Sequence, residues 1–283
     1  MKNTTGIVIG IIVIILVIAG VWAYQKNGTN NELDTNGSTG KSGGNLYVSV
    51  TDATADIQNV NDIDLSVKKV EIHSKEEGWV TISSKEKVYA LLALKASGRV
   101  ELYAKKTGLE AGTYDKVRIT LGNSVVHTKT KGDVKAVIPG SQVVINTRLK
   151  INNGADSHFK IDFMADKSLH ATSDGKFVFA PVVQVESRSN AQINVGSDDM
   201  VQVSGGTVDT NTTIGVDLSG SSRVNYQLQT DSSLKINSET NSQTTFILQG
   251  KNFTADTSID QENQLDKNGS VDANLDSIIN LTY

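Results

Sequence analysis

The chain of 283 residues contains no cysteine and only two prolines. The absence of cysteine excludes disulfide bonds, thiolate metal sites and lipid attachment at a cysteine, so the folded part must be held together by its core alone. Val, Ile, Thr, Ser and Asn dominate the body of the chain, and this composition favours strands and turns over helices.

The sequence also lacks the motifs of common catalytic sites. It contains no phosphate-binding glycine loop and no HExxH pair. Its one GxSxG match, GKSGG at residues 40–44, lies in a polar stretch with no strand predicted before it, so it is not a nucleophile elbow. Carboxylates are numerous, but no spacing marks two of them as general acid and base. We therefore predict a protein that is not an enzyme, and a carboxylate-based hydrolase is the less favoured alternative.

The four histidines form no pair at helical spacing. We expect them to face water at strand edges. A zinc site assembled in space from His127, His158 and His170 is the less favoured alternative.

Charge is distributed unevenly along the chain. From Asn190 onward there are four basic and twelve acidic residues, a net charge of 4 − 12 = −8. In the part before Asn190, basic residues alternate with acidic ones. This pattern gives no support to nucleic-acid binding.

One long apolar run, from Gly6 to Tyr24, holds no charged side chain. At a rise of 1.5 Å per residue it would span about 28 Å as a helix, close to the roughly 30 Å hydrocarbon core of a bilayer. We predict a single-pass transmembrane anchor at residues 1–24, with the following domains extracytoplasmic. A signal peptide cleaved after Ala23 is the alternative. Residues 25–44 are almost free of apolar side chains, which predicts a flexible linker.

Alternating apolar residues predict strands from Asn45 onward. Ile63, Leu65 and Val67 alternate with polar residues, and Val70 resumes the alternation one residue out of step. This shift predicts a β-bulge near Lys68.

A second local pattern precedes the strand that contains Val117. Leu109, Gly112 and Tyr114 have the spacing of a tyrosine corner, in which the phenol hydroxyl bonds to backbone a few residues upstream. We therefore expect Tyr114 to be structural rather than catalytic.

Strands follow every 10 to 15 residues with no amphipathic helix between them, which favours an antiparallel sandwich or barrel. Residues 88–94 fit either a short strand or one or two helical turns. The further predicted strands are Val134–Ile138, Val143–Ile151, Phe159–Ala165 and Phe177–Val185.

Four stretches occur in order between Tyr47 and Ser187: VSVTDATADIQNVNDIDLSVKKVEIHS, GWVTI, LEAGTYDKVRITLG and FKIDFMADKSLHATSDGKFVFAPVVQV. Together they resemble the domain of unknown function 4382 (DUF4382) family of exported bacterial and archaeal proteins. The resemblance implies a prealbumin-like antiparallel β-sandwich over residues 45–189. It implies no catalytic residue, because the family has no assigned activity. Thr54 is a departure, since the family often has proline there.

Residues 190–283 continue the alternation in shorter segments separated by Ser, Gly and Asn. We predict a second, small antiparallel β unit whose core is thin because aromatic residues are few. A repetitive, partly disordered extension is the alternative. The predicted fold class is thus all-β, with one helix in the membrane.

Two acidic clusters are candidate calcium sites, because Asp and Asn in loops can supply the oxygen ligands that Ca²⁺ needs. Asx turns, in which these side chains bond nearby backbone amides, are the alternative. We predict no other cofactor. The candidate ligands are Asp52, Asp56, Asp62 and Asp64 in the first cluster, and Asp266, Asn268 and Asp272 in the second.

These observations predict a non-enzymatic, membrane-anchored module for binding or adhesion at the cell surface. The predicted partners are the membrane, through the N-terminal helix, and an envelope glycan or protein. A structural envelope or spacer protein without a ligand pocket is the alternative. An exposed aromatic patch would favour binding, and Trp79, Tyr103 and Tyr226 are the candidates.

Overall fold

The computed structural model describes residues 43–52, 57–240 and 242–257. The predicted anchor at residues 1–24 and nearly all of the linker lie outside the described residues. Within the described ranges, no helix has the length and apolar character needed to cross a bilayer.

The described residues form nineteen strands and two short helices. In chain order these are β1 (Gly44–Thr51), β2 (Val60–Ser74), β3 (Gly78–Ser83), β4 (Lys87–Ala90), α1 (Leu91–Ser97), β5 (Glu101–Leu109), β6 (Gly112–Thr128), β7 (Gly132–Val137), β8 (Gln142–Ile151), β9 (Asp156–Phe163), α2 (Ala165–Ser168), β10 (Leu169–Ala171), β11 (Phe177–Phe179), β12 (Val182–Ser189), β13 (Gln192–Val195), β14 (Val201–Ser204), β15 (Thr207–Val216), β16 (Ser222–Val224), β17 (Lys235–Glu239), β18 (Gln243–Leu248) and β19 (Lys251–Asp256).

Two large sheets dominate this all-β fold. The first has six strands in the order β16-β15-β12-β9-β1-β5. The second follows the path β10-β11-β7-β6-β2-β3, with β4 also on β2 and β8 also on β6. The long strands β2 and β6 pair with each other, and each takes two shorter partners in succession along its other edge.

The prediction of purely antiparallel pairing is wrong at two places. β1 runs parallel to β9, and β7 runs parallel to β11. A parallel pair needs a long crossover, and the chain between β1 and β9 supplies one by building most of the second sheet.

The inner faces of the two sheets share one hydrophobic core, as in a β-sandwich. β1 and β9 contribute alternate apolar side chains from the first sheet, and β2, β6 and β8 contribute them from the second. Residues such as Val48, Phe159, Ile63 and Ile119 are 0% exposed. The alternation read from the sequence thus separates core from outer face correctly in these strands.

The predicted bulge near Lys68 is confirmed. The register between β2 and β6 shifts between Val67 and Lys69, so that Val67 lies opposite Leu121 and Lys69 opposite Thr120. The shift lets Val67 and Val70, three residues apart, both face the core.

The structure decides the secondary structure of two segments that the sequence left ambiguous or predicted as one strand. Residues 87–97 form both a strand and a helix, since β4 ends at Ala90 and α1 begins at Leu91. The single strand expected over Phe177–Val185 is wrong, because β11 belongs to the second sheet and β12 to the first. Pro181, which has no N–H for a ladder, lies at the crossing.

The outer edge of β8 faces the first sheet and is satisfied by hydroxyl groups. The backbone N–H of Val144 donates to Ser222 Oγ at 3.0 Å, and that of Arg148 donates to Thr210 Oγ1 at 2.8 Å. The acceptors belong to β15 and to the edge strand β16, so side chains replace a missing neighbouring strand.

Two buried serines satisfy carbonyl groups of the same edge. Ser187 Oγ donates to the carbonyl of Arg148 at 3.2 Å, and Ser157 Oγ donates to the carbonyl of Lys150 at 2.7 Å. Both serines are 0% exposed, so these hydroxyls lie inside the seam between the sheets.

The residues beyond the predicted boundary at 189 are divided between sheets. β15 pairs with β12 and carries β16, so both extend the first sheet. The small C-terminal β unit contains fewer residues than predicted, because only the three-stranded meander β17-β18-β19 forms it. Phe246, Leu234 and Ala255 form its core together with Val178 and Ala180, at and just after β11.

The expected tyrosine corner is present. The Tyr114 hydroxyl lies 3.1 Å from the carbonyl of Glu110 and 3.0 Å from Oε2 of Glu77, and the residue is 1% exposed. Burial and the neighbouring Glu77 raise the pKa of the phenol above its ordinary value, so it remains a donor.

We expect Tyr114→Phe to lower the free energy of unfolding by about 1–2 kcal/mol, because it leaves a buried acceptor without its donor. Chemical denaturation of the full chain measures this loss. Tyr103→Phe is the matched control, since its hydroxyl lies 3.4 Å from the Ser83 carbonyl and makes a weaker bond. Equal effects of the two changes would contradict the corner's role.

Candidate binding surface

The outer face of the second sheet carries a cluster of charged side chains around Trp79. In the register, Trp79 of β3 lies opposite His73 of β2, and Glu71 of β2 lies opposite Arg118 of β6. Because Val70 and Ile72 face the core, the side chains of Glu71 and His73 must point outward. Three adjacent strands therefore place these groups on one surface.

Arg118 and Glu71 form the centre of the cluster. The Arg118 guanidinium lies over the Trp79 ring, 4.2 Å from its centroid. Its Nε and Nη2 lie 2.8 Å and 2.7 Å from Glu71 Oε2, and Lys69 Nζ lies 2.9 Å from Glu71 Oε1. The Glu71 side chain is only 6% exposed, so its charge is balanced by two cations in a partly desolvated site.

His73 continues the cluster on the other side. Its Nδ1 lies 2.7 Å from Asp115 Oδ1, and its ring centroid lies 5.1 Å from that of Trp79 at a tilt of 58°. Trp79 is thus held by two neighbours and remains partly exposed. An indole fixed in this way can contact a ligand with little loss of side-chain entropy.

Of the three aromatic candidates, Trp79 and Tyr226 each have an arginine over the ring, and the guanidinium is closer at Trp79, 4.2 Å from the centroid against 5.8 Å for Arg223 over Tyr226. Tyr103 is 4% exposed and belongs to the main core, and Tyr226 packs against the C-terminal meander's core. The sequence singles out Trp79 but not Glu71 or Arg118, because these two lie 47 positions apart and meet only through strand pairing.

The predicted calcium ligands that the structure describes come from two different sheets. Asp52 follows β1 of the first sheet and is 2% exposed, whereas Asp62 and Asp64 lie on β2 of the second sheet. Asp56, Asp266, Asn268 and Asp272 lie outside the described residues.

Asp62 and Asp64 have protein partners of their own. Asp62 Oδ1 accepts the N–H of Ile63 at 2.7 Å and that of Leu92, in the first turn of α1, at 2.9 Å. Asp64 Oδ2 lies 3.1 Å from His127 Nε2. In the part of the chain that the structure describes, no three Asp, Glu or His side chains are grouped to hold a metal ion. Calcium binding stays a prediction.

His127 lies between two carboxylates. Its Nδ1 is 2.8 Å from Asp133 Oδ1, and its Nε2 contacts Asp64 on the neighbouring strand. The hydrogen bond to Asp133, followed by that to Asp64, raises the pKa of the imidazole above its ordinary value. The imidazole therefore links β2, β6 and β7, and the link is stronger when the ring is protonated.

The stabilisation by His127 should depend on pH. Since the pKa is raised in the folded state, the contribution is complete below the unfolded value near 6.5 and is lost as the pH rises through the folded value. We expect Asp133→Asn to lower the melting temperature more at pH 5.5 than at pH 9. Repeating Asp133→Asn in a His127→Gln background is the control, and a pH dependence that persists there would contradict the role of His127.

The calcium prediction has a direct test on the full chain. A bound ion stabilises the folded state by mass action, so adding EGTA should lower the melting temperature and excess CaCl₂ should restore it. The matched measurement uses EGTA preloaded with calcium. An unchanged melting temperature would rule out a stabilising calcium site.

Comparison with known proteins places the domain in a family. Residues 43–181 match the family model described as "Domain of unknown function (DUF4382)". No curated protein and no solved structure matches the chain. The chain therefore contains a DUF4382 domain that ends just before β12, which confirms the resemblance noted in the sequence. The matched residues include the Trp79 cluster and His127.

Proposed function

We propose that this protein with a DUF4382 domain is a membrane-anchored, extracytoplasmic binding module, without enzymatic activity, that acts at the cell surface. The apolar run from Gly6 to Tyr24 supports the anchor, and the polar residues 25–44 support a linker. The prealbumin-like arrangement belongs to the same proposal, and two sheets over one core support it.

One observation carries the binding proposal: the cluster around Trp79 on the outer face of the second sheet. A partly exposed indole, an arginine and a histidine lie together on rigid strands rather than on loops. Aromatic and arginine side chains are the groups that dominate protein recognition surfaces. An envelope glycan or an envelope protein is the proposed ligand class.

A structural spacer is the second candidate, and the pairing of charges in the same cluster favours it. Glu71 is paired with Arg118 and Lys69, and His73 with Asp115. A network that is satisfied internally can stiffen a sheet without contacting any ligand.

Retention on immobilised envelope polysaccharide, and separately on envelope protein, tests binding. We expect the full chain to be retained and Trp79→Ala to weaken retention about tenfold or more, as hot-spot truncations typically cost at least 1–2 kcal/mol. Val224→Ala is the matched control, because Val224 is 59% exposed on β16 of the other sheet. No retention of the native chain, or equal retention of Trp79→Ala, would favour the spacer.

Cell fractionation tests the anchor independently of the ligand. The full chain should sediment with membranes and resist carbonate extraction, and deletion of residues 6–24 should release it. A mature N-terminus that begins after Ala23, with the protein in the medium, would contradict the anchor. This result would not affect the binding proposal, which the retention experiment tests.

A further inference from the structure

The segment between β12 and β15 forms a hairpin that lies across the outer face of the first sheet. β13 and β14 pair antiparallel, with Ile193 opposite Val203 and Val195 opposite Val201. These apolar side chains share one face of the hairpin and are buried or half-buried, whereas the polar residues between them are exposed. We call residues 191–206 the strap.

Backbone hydrogen bonds fasten the strap at both ends. At its base, the N–H of Ala191 donates to the carbonyl of Asp156 in β9 at 2.9 Å. At its tip, the N–H of Val201 donates to Val100, and the N–H of Leu102 donates to Asp199, each at 2.8 Å. Because β1 lies between β9 and β5 in the sheet, the strap must cross β1.

Three outer-face side chains lie beneath the strap. His158 of β9 is 3% exposed, and Tyr47 and Ser49 of β1 are 7% and 0% exposed. His158 Nε2 lies 2.8 Å from Ser49 Oγ. The expectation that the histidines face water is therefore wrong for His158, because the strap buries this part of the sheet's outer face.

The charged groups of this outer face do not favour a cation beneath the strap. Burial is the main cause that lowers the pKa of His158 to about 4, and the nearby cations Lys160 and Arg188 add to it, while Glu186 opposes it. The strap's inward residues bring no charge, and the carboxylates at its tip, Asp198 and Asp199, lie 3.6 Å from Arg99 and Lys87. The charged groups on this face are Asp156, Lys160 and Asp162 on β9, Glu186 and Arg188 on β12, and Lys105, which lies over Tyr47.

Arg188 is already engaged in holding the strap. Its Nη2 lies 3.0 Å from Glu186 Oε1, and its Nη1 donates to the carbonyl of Gly205 at 2.8 Å. Protonated His158 would therefore find Glu186 paired and would remain without a free counter-ion on β12.

Tight turns join the strap to β12 and β15. Asn190 has a φ of 53°, and Gly205 and Gly206 have φ values of 62° and 71°. A Cβ on Gly206 would lie 2.5 Å from the Ser189 carbonyl, so the two chain segments cross too closely for a side chain. Rotation at these residues can move the strap without breaking the ladder between β12 and β15.

We propose that the strap is an acid-sensitive cover: protonation of His158 releases it from the first sheet and exposes a surface that carries Tyr47 and Ser49. The open state accepts a proton on His158 at its ordinary pKa, whereas the closed state resists it. Opening is thus favoured as the pH falls below 6.5, and the effect levels off below about pH 4.

Hydrogen exchange on the full chain, in detergent where it is needed for solubility, tests the proposal. After correction for intrinsic rates, the opening equilibrium of amides 192–204 should rise about tenfold for each pH unit between 6.5 and 4. Amides of β2 and β6 serve as the internal reference and should not follow this dependence. Strap amides whose opening does not change with pH would overturn the proposal.

His158→Gln is the matched variant, because its amide can still reach Ser49 Oγ but takes up no proton. Its strap should stay closed to pH 4, and an acid opening equal to that of the native chain would refute the role of His158. If the variant does not fold, NMR titration of His158 in the native chain replaces it. A measured pKa at or above 6.5 would refute the proposal. Strap signals that do not shift as His158 titrates would refute it too.

Discussion

The structure depends on the hydrogen bonding of one edge, the outer side of β8 where the two sheets meet. An edge strand presents unpaired backbone groups, and these are costly when a second sheet excludes water from them. Four hydroxyl groups, those of Ser157, Ser187, Thr210 and Ser222, satisfy this edge from β9, β12, β15 and β16. The sheets can therefore approach closely enough to share one core. The abundance of Ser and Thr in this chain serves its interior as well as its surface.

The outer faces of the two sheets differ in whether another part of the chain covers them. The second sheet leaves its outer face open, where Trp79, Arg118 and Glu71 form a paired cluster. The first sheet folds the strap over its own outer face and buries Tyr47, Ser49 and His158. We propose the open face of the second sheet as the ligand-binding surface, and the covered face of the first sheet as a surface that becomes exposed at low pH.

The histidines show how environment shifts the pKa of the same side chain in opposite directions. Two carboxylates raise the pKa of His127 on a partly exposed strand and so favour its charged form. Burial beneath the strap lowers the pKa of His158 to about 4 and keeps it neutral. His170 is also neutral, because burial between β10 and the Thr230 loop lowers its pKa to about 4. Their positions in the sequence carry no sign of these differences.

The sequence by itself determined the features that depend on near neighbours. Alternation within a strand predicted which residues of β2 and β6 enter the core, the phase shift predicted the bulge at Lys68, and the spacing to Tyr114 predicted its bond to backbone a few residues upstream. Trp79 could be singled out as a candidate, but its partners could not. Only the tertiary structure decided that β1 pairs parallel to β9, that β15 joins the first sheet and that a hairpin buries His158. The reason is that alternation fixes the face of a strand to which a side chain belongs, whereas the neighbouring strand and the cover of that face are chosen by contacts between residues far apart in the chain.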